Sequence, residues 1–231
     1  MKNLIIIPAR AGSKRILNKN LVRIKKKPLL YYSLISAKKI QKRFKQSKII
    51  TLTDSKKIQN FSNKYLKNEF NYIRPKKLSG DKTKTKDTVK HLINFLVKNK
   101  KIIFDFIILL QPTSPLRNEN DIIKALKIIS KNKKIQSVVS INRTLESIND
   151  LIYKNRKKSF SPQKLIKKFN LLQERNFFTI NGNFYIIRKA FFQKKQVFYN
   201  FKKETLFYEV DKKYSLDIDD SFDLDLAKKI I

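Results

Sequence analysis

Residues 4–20 read Leu4-Ile5-Ile6-Ile7-Pro8-Ala9-Arg10-Ala11-Gly12-Ser13-Lys14-Arg15-Ile16-Leu17-Asn18-Lys19-Asn20. Four consecutive large apolar side chains leave no polar face, the pattern of a strand covered on both sides. The loop behind it holds one of the chain's 3 glycines. Lacking a Cβ, Gly12 lets backbone N–H groups come close to an anion, and Arg10, Lys14, Arg15 and Lys19 surround it with positive charge. The stretch reads as a phosphate cradle following a first buried strand. The alternative is an ordinary basic loop in a lysine-rich chain. It lacks the two-glycine spacing and the Lys-Ser/Thr pair of a Walker A loop.

Outward from this stretch, strands and helices alternate through residue 142. Pro28 stands where a helix opens, in the first turn that tolerates proline, with Leu30, Leu34 and Ala37 on one face. Lys48 to Thr53 reads as a second strand and Ser55 to Leu66 as a helix capped by Ser55. Phe70 to Ile73 reads as a short third strand. A helix over Lys86 to Lys98 carries Val89, Leu92, Ile93 and Leu96 inward. Phe104 to Leu110 is the strongest strand, Asn118 to Ser130 a helix, and Gln136 to Ile141 another strand. This order implies an α/β fold with a mainly parallel sheet between helices, whose ligands sit outside the carboxyl ends of the strands. From residue 142 to 180 the rhythm breaks. That span reads as an excursion within a single domain of residues 1–231, shaped as a hairpin or arm. Asn183 to Arg188 and Glu204 to Val210 return to strand, and Asp220 to Ile231 closes with a helix.

Composition removes several function classes. There is no Cys and only 1 His, which excludes disulfide frameworks, zinc fingers, thiolate nucleophiles and His-rich metal sites. The apolar run Ile102 to Leu110 is broken by Asp105 and falls short of the ~20 residues of a membrane span. The first ten residues do not make a signal peptide, so the expectation is a cytoplasmic protein without a membrane partner. The 231 residues carry 54 Lys+Arg against 18 Asp+Glu, a net charge of +36. Lysine supplies 44 of those cations and Ile occurs 31 times against 6 Ala, a skew that follows A- and T-rich codons. The basic residues are scattered in pairs along the chain, unlike a concentrated nucleic-acid strip. Base-composition drift and a polyanion-binding surface therefore both stand as readings of the charge.

The acids are not scattered. Eight of the 18 fall between Glu204 and Asp225, and Asp217, Asp219, Asp220, Asp223 and Asp225 crowd nine positions. Asp217 and Asp219 are two apart, so on an extended segment they share a face and suit a hydrated divalent cation. Asp220 and Ser221 read as helix caps, Asp223 and Asp225 as solvated helix charges, and His91 as an ordinary core or surface histidine.

The opening loop with Lys27-Pro28-Leu29-Leu30 behind it resembles the acylneuraminate (CMP-nonulosonic acid) cytidylyltransferase family. Further matches follow in order: Thr53-Asp54, Arg74-Pro75, Leu78-Ser79-Gly80-Asp81, the loop from Leu109 to Arg117 (LLQPTSPLR), Asn181-Gly182 with Phe184-Tyr185-Ile186, and Leu216-Asp217-Ile218-Asp219. The resemblance covers nearly the whole chain and is weakest over residues 142–172. Ala11 and Lys26 stand where the family commonly has glycine.

The resemblance implies a Rossmann-like nucleotide-binding fold and a nucleotidyltransferase reaction: CTP and a nine-carbon α-keto acid sugar give the CMP-sugar and pyrophosphate, with Mg²⁺, for surface glycan synthesis. It assigns Ala9, Arg10, Gly12, Ser13, Lys19, Asn20, Arg74, Ser79 and Asp81 to the nucleotide, with Arg10 and Lys19 catalytic. Gln111, Asn181 and Gly182 go to the sugar, and Asp217 and Asp219 to the metal. It also implies a homodimer in which residues 142–180 pack on the partner, with Lys164, Lys167 or Lys168 approaching the partner's sugar. The alternatives are a cytidylyltransferase for the eight-carbon sugar KDO, and a polyanion- or nucleic-acid-binding protein on a nucleotide-binding fold.

Overall fold

The apolar run forms the body of strand β1 (Asn3–Pro8), in which every residue from Asn3 to Ile7 is buried. The computed structural model describes residues 1–66, 70, 72–144, 152–154, 160–162 and 177–231. A short ribbon of β2 (Arg23–Ile24) and β3 (Lys27–Pro28) leads into helix α1 (Leu29–Arg43). The left-handed residue in the ribbon's turn is Lys25, at φ 53°. Pro28 caps α1 from an extended conformation, one residue ahead of the expected first-turn position. Then come β4 (Lys48–Leu52) and α2 (Lys56–Asn63), whose cap Ser55 accepts a hydrogen bond from Ile58 N. Helix α3 (Thr85–Lys100), β5 (Phe106–Leu109), α4 (Glu119–Lys131) and β6 (Ser137–Arg143) complete the alternating part.

Among its described residues the expected strand at Phe70 to Ile73 does not form: Tyr72 and Ile73 pair with no strand. Their stretch runs beside the end of β4, where Arg74 N donates to Thr53 O and the Tyr72 carbonyl accepts from Gln59 Nε2. A side chain and a single main-chain bond satisfy groups that a ladder would otherwise take.

Strands β7 (Ile152–Lys154) and β8 (Phe160–Pro162) form an antiparallel pair. Then follow β9 (Phe178–Arg188), α5 (Lys189–Lys195), β10 (Thr205–Glu209) and α6 (Ser221–Ile230). The ends of the expected excursion belong to the main sheet, since Asn142 pairs with Thr179 and Arg143 with Phe178. Its remaining residues, including Lys164, Lys167 and Lys168, lie largely outside the described residues.

The main sheet runs β10-β6-β9-β5-β1-β4, and only β9 is antiparallel to its neighbours. On one face α1, α2 and α4 pack Leu34, Ile40, Ile58, Ile122 and Leu126 against Ile5, Ile7 and Ile108. On the other, α3 and α5 bring Val89, Leu92, Leu96 and Phe192 onto Leu4, Ile6, Ile107 and Ile187. Residues buried on both faces explain the unbroken apolar runs. A third cluster joins Ile16 and Ile24 to Ile218, Leu224 and Ala227, so the first loop and the last helix share a core. Among the described residues no helix is long and apolar enough to cross a membrane.

Strand β9 is irregular where it matters. Val139 of β6 faces Tyr185, but two residues on Ile141 faces Ile180, so extra residues of β9 bulge out between them. Ser140 Oγ holds the bulge by donating to Asn181 Oδ1 at 2.7 Å and accepting from Phe184 N at 3.0 Å. Bulges re-aim side chains beside functional sites.

Ile107 is fully buried in β5, near the middle of the sheet. Ile107→Ala is expected to cost about 2–5 kcal/mol, read in urea as a lower midpoint with an unchanged slope. A loss below about 1 kcal/mol, far under that range, would place β5 outside the packed core.

Candidate functional site

A cleft of about 290 Å³ opens at the carboxyl ends of β1 and β5 and at the start of α3. The first loop forms one wall. Its course is fixed by main-chain groups: Ala9 N donates to Leu52 O at 2.9 Å, Ala11 N to Asp54 Oδ1 at 2.8 Å, and Asn20 Nδ2 reaches back to Arg10 O at 2.8 Å. Asn18 adopts the left-handed conformation, φ 52°, that turns the chain back into the wall. Ala11 has no positive φ, so the alanine costs the loop nothing in backbone strain, and a Cβ at Gly12 would meet no atom within 4 Å. The space beside Gly12 is open cleft.

Lys19 joins this wall to the acidic segment. Its side chain is only 12% exposed; Nζ donates to Ile218 O at 2.7 Å and Asp219 O at 3.1 Å and lies 3.5 Å from Asp219 Oδ1. Arg15 Nη1 lies 3.5 Å from Asp219 Oδ2. Asp217 is half-buried, its Oδ1 enclosed with no hydrogen-bond partner. Burial pushes its carboxyl above the ordinary range, against a hydrogen bond from Thr113 and the pull of Lys19. Asp223, read above as a solvated charge, instead accepts from Asp219 N at 2.8 Å and Asp220 N at 3.1 Å while Asp220 caps α6 in return. The spacing Asp220…Asp223 is that of a capping box, a signal present in the sequence.

The opposite wall carries Arg74 and Asp81. Arg74 is buried, which lowers its pKa, and its guanidinium turns back onto the Leu78 carbonyl through Nε at 2.7 Å and through Nη2. Asp81 crosses the cleft mouth to the first loop, accepting from Arg10 Nη1 at 2.8 Å and facing Lys14 Nζ at 2.8 Å; these partners hold its carboxyl below the ordinary range. The cleft floor is Gln111, Pro112 and Thr113, directly after β5.

Of the residues expected at the site, Arg10, Gly12, Ser13, Lys19, Asn20, Arg74, Asp81 and Gln111 line this one cleft. Gly182 abuts the Gln111 side chain, and Asp219 reaches the cleft through Lys19. Ala9 does not line it, being fully buried beneath the loop. The Ser79 hydroxyl is turned to Pro75 O, and Asn181 is buried in the β9 bulge with Nδ2 unpartnered. The expected set omits Thr83 and Thr85, which line the cleft at the N-terminal end of α3. Asp54 and Arg117 were quoted as motif residues without a role, and both fasten cleft walls.

With this geometry in place, a family model described as cytidylyltransferase matches residues 4–230. The N-acylneuraminate cytidylyltransferase of Escherichia coli O18:K1:H7 is 31% identical over 241 residues, covering 98% of this chain and 51% of that protein. The CMP-N,N'-diacetyllegionaminic acid synthase of Legionella pneumophila is 29% identical over 243 residues, covering 100% and 97%. The chain thus spans about half the length of the first relative and nearly all of the second. A CMP:2-keto-3-deoxy-manno-octonic acid synthetase solved in complex with CTP superposes with a TM-score of 0.70 at 16% identity, over 100% of this chain and 98% of that one. That likeness is one of fold.

Asp81 occupies two cations that an incoming polyphosphate would want. Asp81→Asn is expected to bind inorganic pyrophosphate roughly two- to tenfold more tightly at fixed ionic strength, since it gives up two exposed and therefore weak ion pairs. Titration calorimetry reads it; unchanged or weaker binding would show that Arg10 and Lys14 are not the anion's partners.

Proposed function

Because the chain belongs to the cytidylyltransferase family, we propose that it joins CTP to a nonulosonic acid, a nine-carbon α-keto acid sugar of the sialic, legionaminic or pseudaminic type, giving the CMP-sugar and pyrophosphate. The observation that carries this reading is the single cleft in which Arg10, Lys19 and Gly12 face Gln111, with the Asp217–Asp219 segment held against the same wall by Lys19. The names of the relatives from Escherichia coli and Legionella pneumophila support the sugar class.

In the proposed reaction the anomeric hydroxyl oxygen attacks the α-phosphorus of CTP in line, its proton passing to water, and the bond to the pyrophosphate oxygen breaks. The chain's part is to align the two substrates and to stabilise charge as it moves onto the leaving pyrophosphate. Arg10 and Lys19 serve that second role, Gly12 and Ser13 cradle phosphate with main-chain groups, and Asn20 keeps the loop in shape through Arg10 O. Arg74, Ser79 and Asp81 border the nucleoside, Ala9 supports the cradle from below, and Gln111, Asn181 and Gly182 form the sugar side.

Among the described residues no group of three His, Cys, Asp or Glu is arranged for a metal. Mg²⁺ commonly needs only one or two carboxylates when phosphates supply other ligands, and the enclosed, unpartnered Asp217 Oδ1 is a carboxylate oxygen suited to a cation. Asp217 and Asp219 would hold it, and when bound it would neutralise phosphate charge. The proposed assembly is a cytoplasmic homodimer joined through residues 142–180, where apolar residues such as Leu151, Phe160, Leu165 and Phe169 interrupt the basic sequence.

Pyrophosphate release with CTP and Mg²⁺ tests the reading across sialic, legionaminic and pseudaminic acids and KDO. Release with a nine-carbon sugar is expected; release with KDO alone, or with none, would overturn it. Lys19→Ala should lower kcat/KM by ~10²–10³, and Asp217→Asn or Asp219→Asn should abolish Mg²⁺-dependent turnover in a folded protein. A Lys19→Ala variant within a factor of about three of the parent, well inside that range, would make Lys19 a structural tether only.

Light scattering checks the assembly. A mass of twice the 27.5 kDa chain is expected, and a mass of one chain that does not rise with concentration would rule the dimer out.

A further inference from the structure

Arg117 is 6% exposed, and its pKa is lowered to about 10 by burial. A buried cation is costly unless its donors are used. Here Nε donates to Asn183 O at 2.8 Å, Nη1 to Ser33 Oγ at 3.1 Å and Nη2 to Gln111 O at 2.7 Å. The Ser33 hydroxyl also approaches Gln111 O, at 3.3 Å. All of these acceptors are neutral oxygens.

Their placement is specific. The β5–β9 ladder ends with Leu109 opposite Tyr185, and two more residues of the same register would set Gln111 opposite Asn183. The guanidinium stands between those two residues, bonding a carbonyl on each side where the ladder stops. Residue 182, next to Asn183, is glycine at φ 69°, and a Cβ there would meet Gln111 Cδ and Oε1 at 3.3 Å. The β9 bulge pinned by Ser140 presents that glycine. Gln111 is thus held twice, by Arg117 at its main chain and by the notch of Gly182 at its carboxamide.

We propose that Arg117 and Gly182 are positioning residues that aim the Gln111 carboxamide into the cleft, so that sugar selection depends on contacts made to Gln111 from behind as well as on the groups that border the sugar. This rests on the reading of Gln111 as the sugar-side contact. The role is separable from a purely structural one because it acts through one side chain and on one substrate.

The test is a pair of double-mutant cycles, Arg117→Lys with Gln111→Ala and Gly182→Ala with Gln111→Ala. The readouts are kcat and KM for the most active sugar of the pyrophosphate-release panel, CTP affinity by calorimetry, and thermal midpoint. A misplacement of about 1 Å can cost on the order of 10²-fold, so each single variant is expected to lower sugar kcat/KM roughly ten- to hundredfold with CTP affinity little changed. In the Gln111→Ala background the further loss from either variant should vanish. Losses that persist there, or that fall equally on CTP, would overturn the proposal. Should Arg117→Lys fail to fold, the Gly182→Ala cycle decides alone. If Gln111→Ala leaves sugar kcat/KM unchanged, the sugar role of Gln111 fails and takes this inference with it, an outcome distinct from additivity.

Discussion

The ammonium of Lys19 closes the molecule across 199 residues of sequence, donating to the Ile218 carbonyl at 2.7 Å. Without that tether the basic loop after β1 and the acidic segment before α6 would be two loops at the same edge of a sheet. With it they form one wall, reinforced below by the cluster of Ile16, Ile24, Ile218 and Leu224. The tether also sets the electrostatics. A nearly buried cation lies beside Asp219 and lowers the cost of ionising Asp217, which burial alone would keep protonated more readily. The cations of the first loop are paired with Asp81 and Asp219 in this state, so a phosphate would have to compete for the cations and a divalent cation for the carboxylates.

The sheet supplies the second requirement, a floor of fixed height. Strands β1 and β5 pair in parallel register, Ile6 with Leu109, so both direct their carboxyl ends to the cleft. Strand β9 then enters in the opposite sense beside β5, and Arg117 marks the point where the two separate. A parallel neighbour there would carry its chain toward the cleft end and stop. An antiparallel one instead delivers a mid-chain bulge, Asn181 to Phe184, to the edge of the site.

Much of this was legible in the residues. Leu4 to Ile7 could only be covered on both faces, and Ser55, Asn118 and Asp220 cap their helices with their own side chains, as their residue types suggest. The cradle was legible because Gly12 and its cations follow a strand. The direction of β9 was not, since an apolar run such as Phe184 to Ile187 encodes burial on both faces but neither sense nor neighbour. Arg117 stayed hidden for another reason: among 54 basic residues a single cation carries no sign that it is buried. The acids are easier to read, being only 18, yet nothing in the residue type of Asp223 separates a solvated charge from one that accepts two main-chain N–H groups.

Most of the +36 charge lies outside the cleft, so the cleft's chemistry rests on few cations: Arg10, Lys14, Arg15, Lys19 and Arg74. A crystal structure of the protein with CTP tests the account most directly. The expected result is a triphosphate lying along residues 10–20, in contact with Arg10 and near Lys19, with Asp81 displaced from Arg10 and Lys14. Nucleotide bound elsewhere, with the Asp81 pairs intact over an empty cleft, would contradict it.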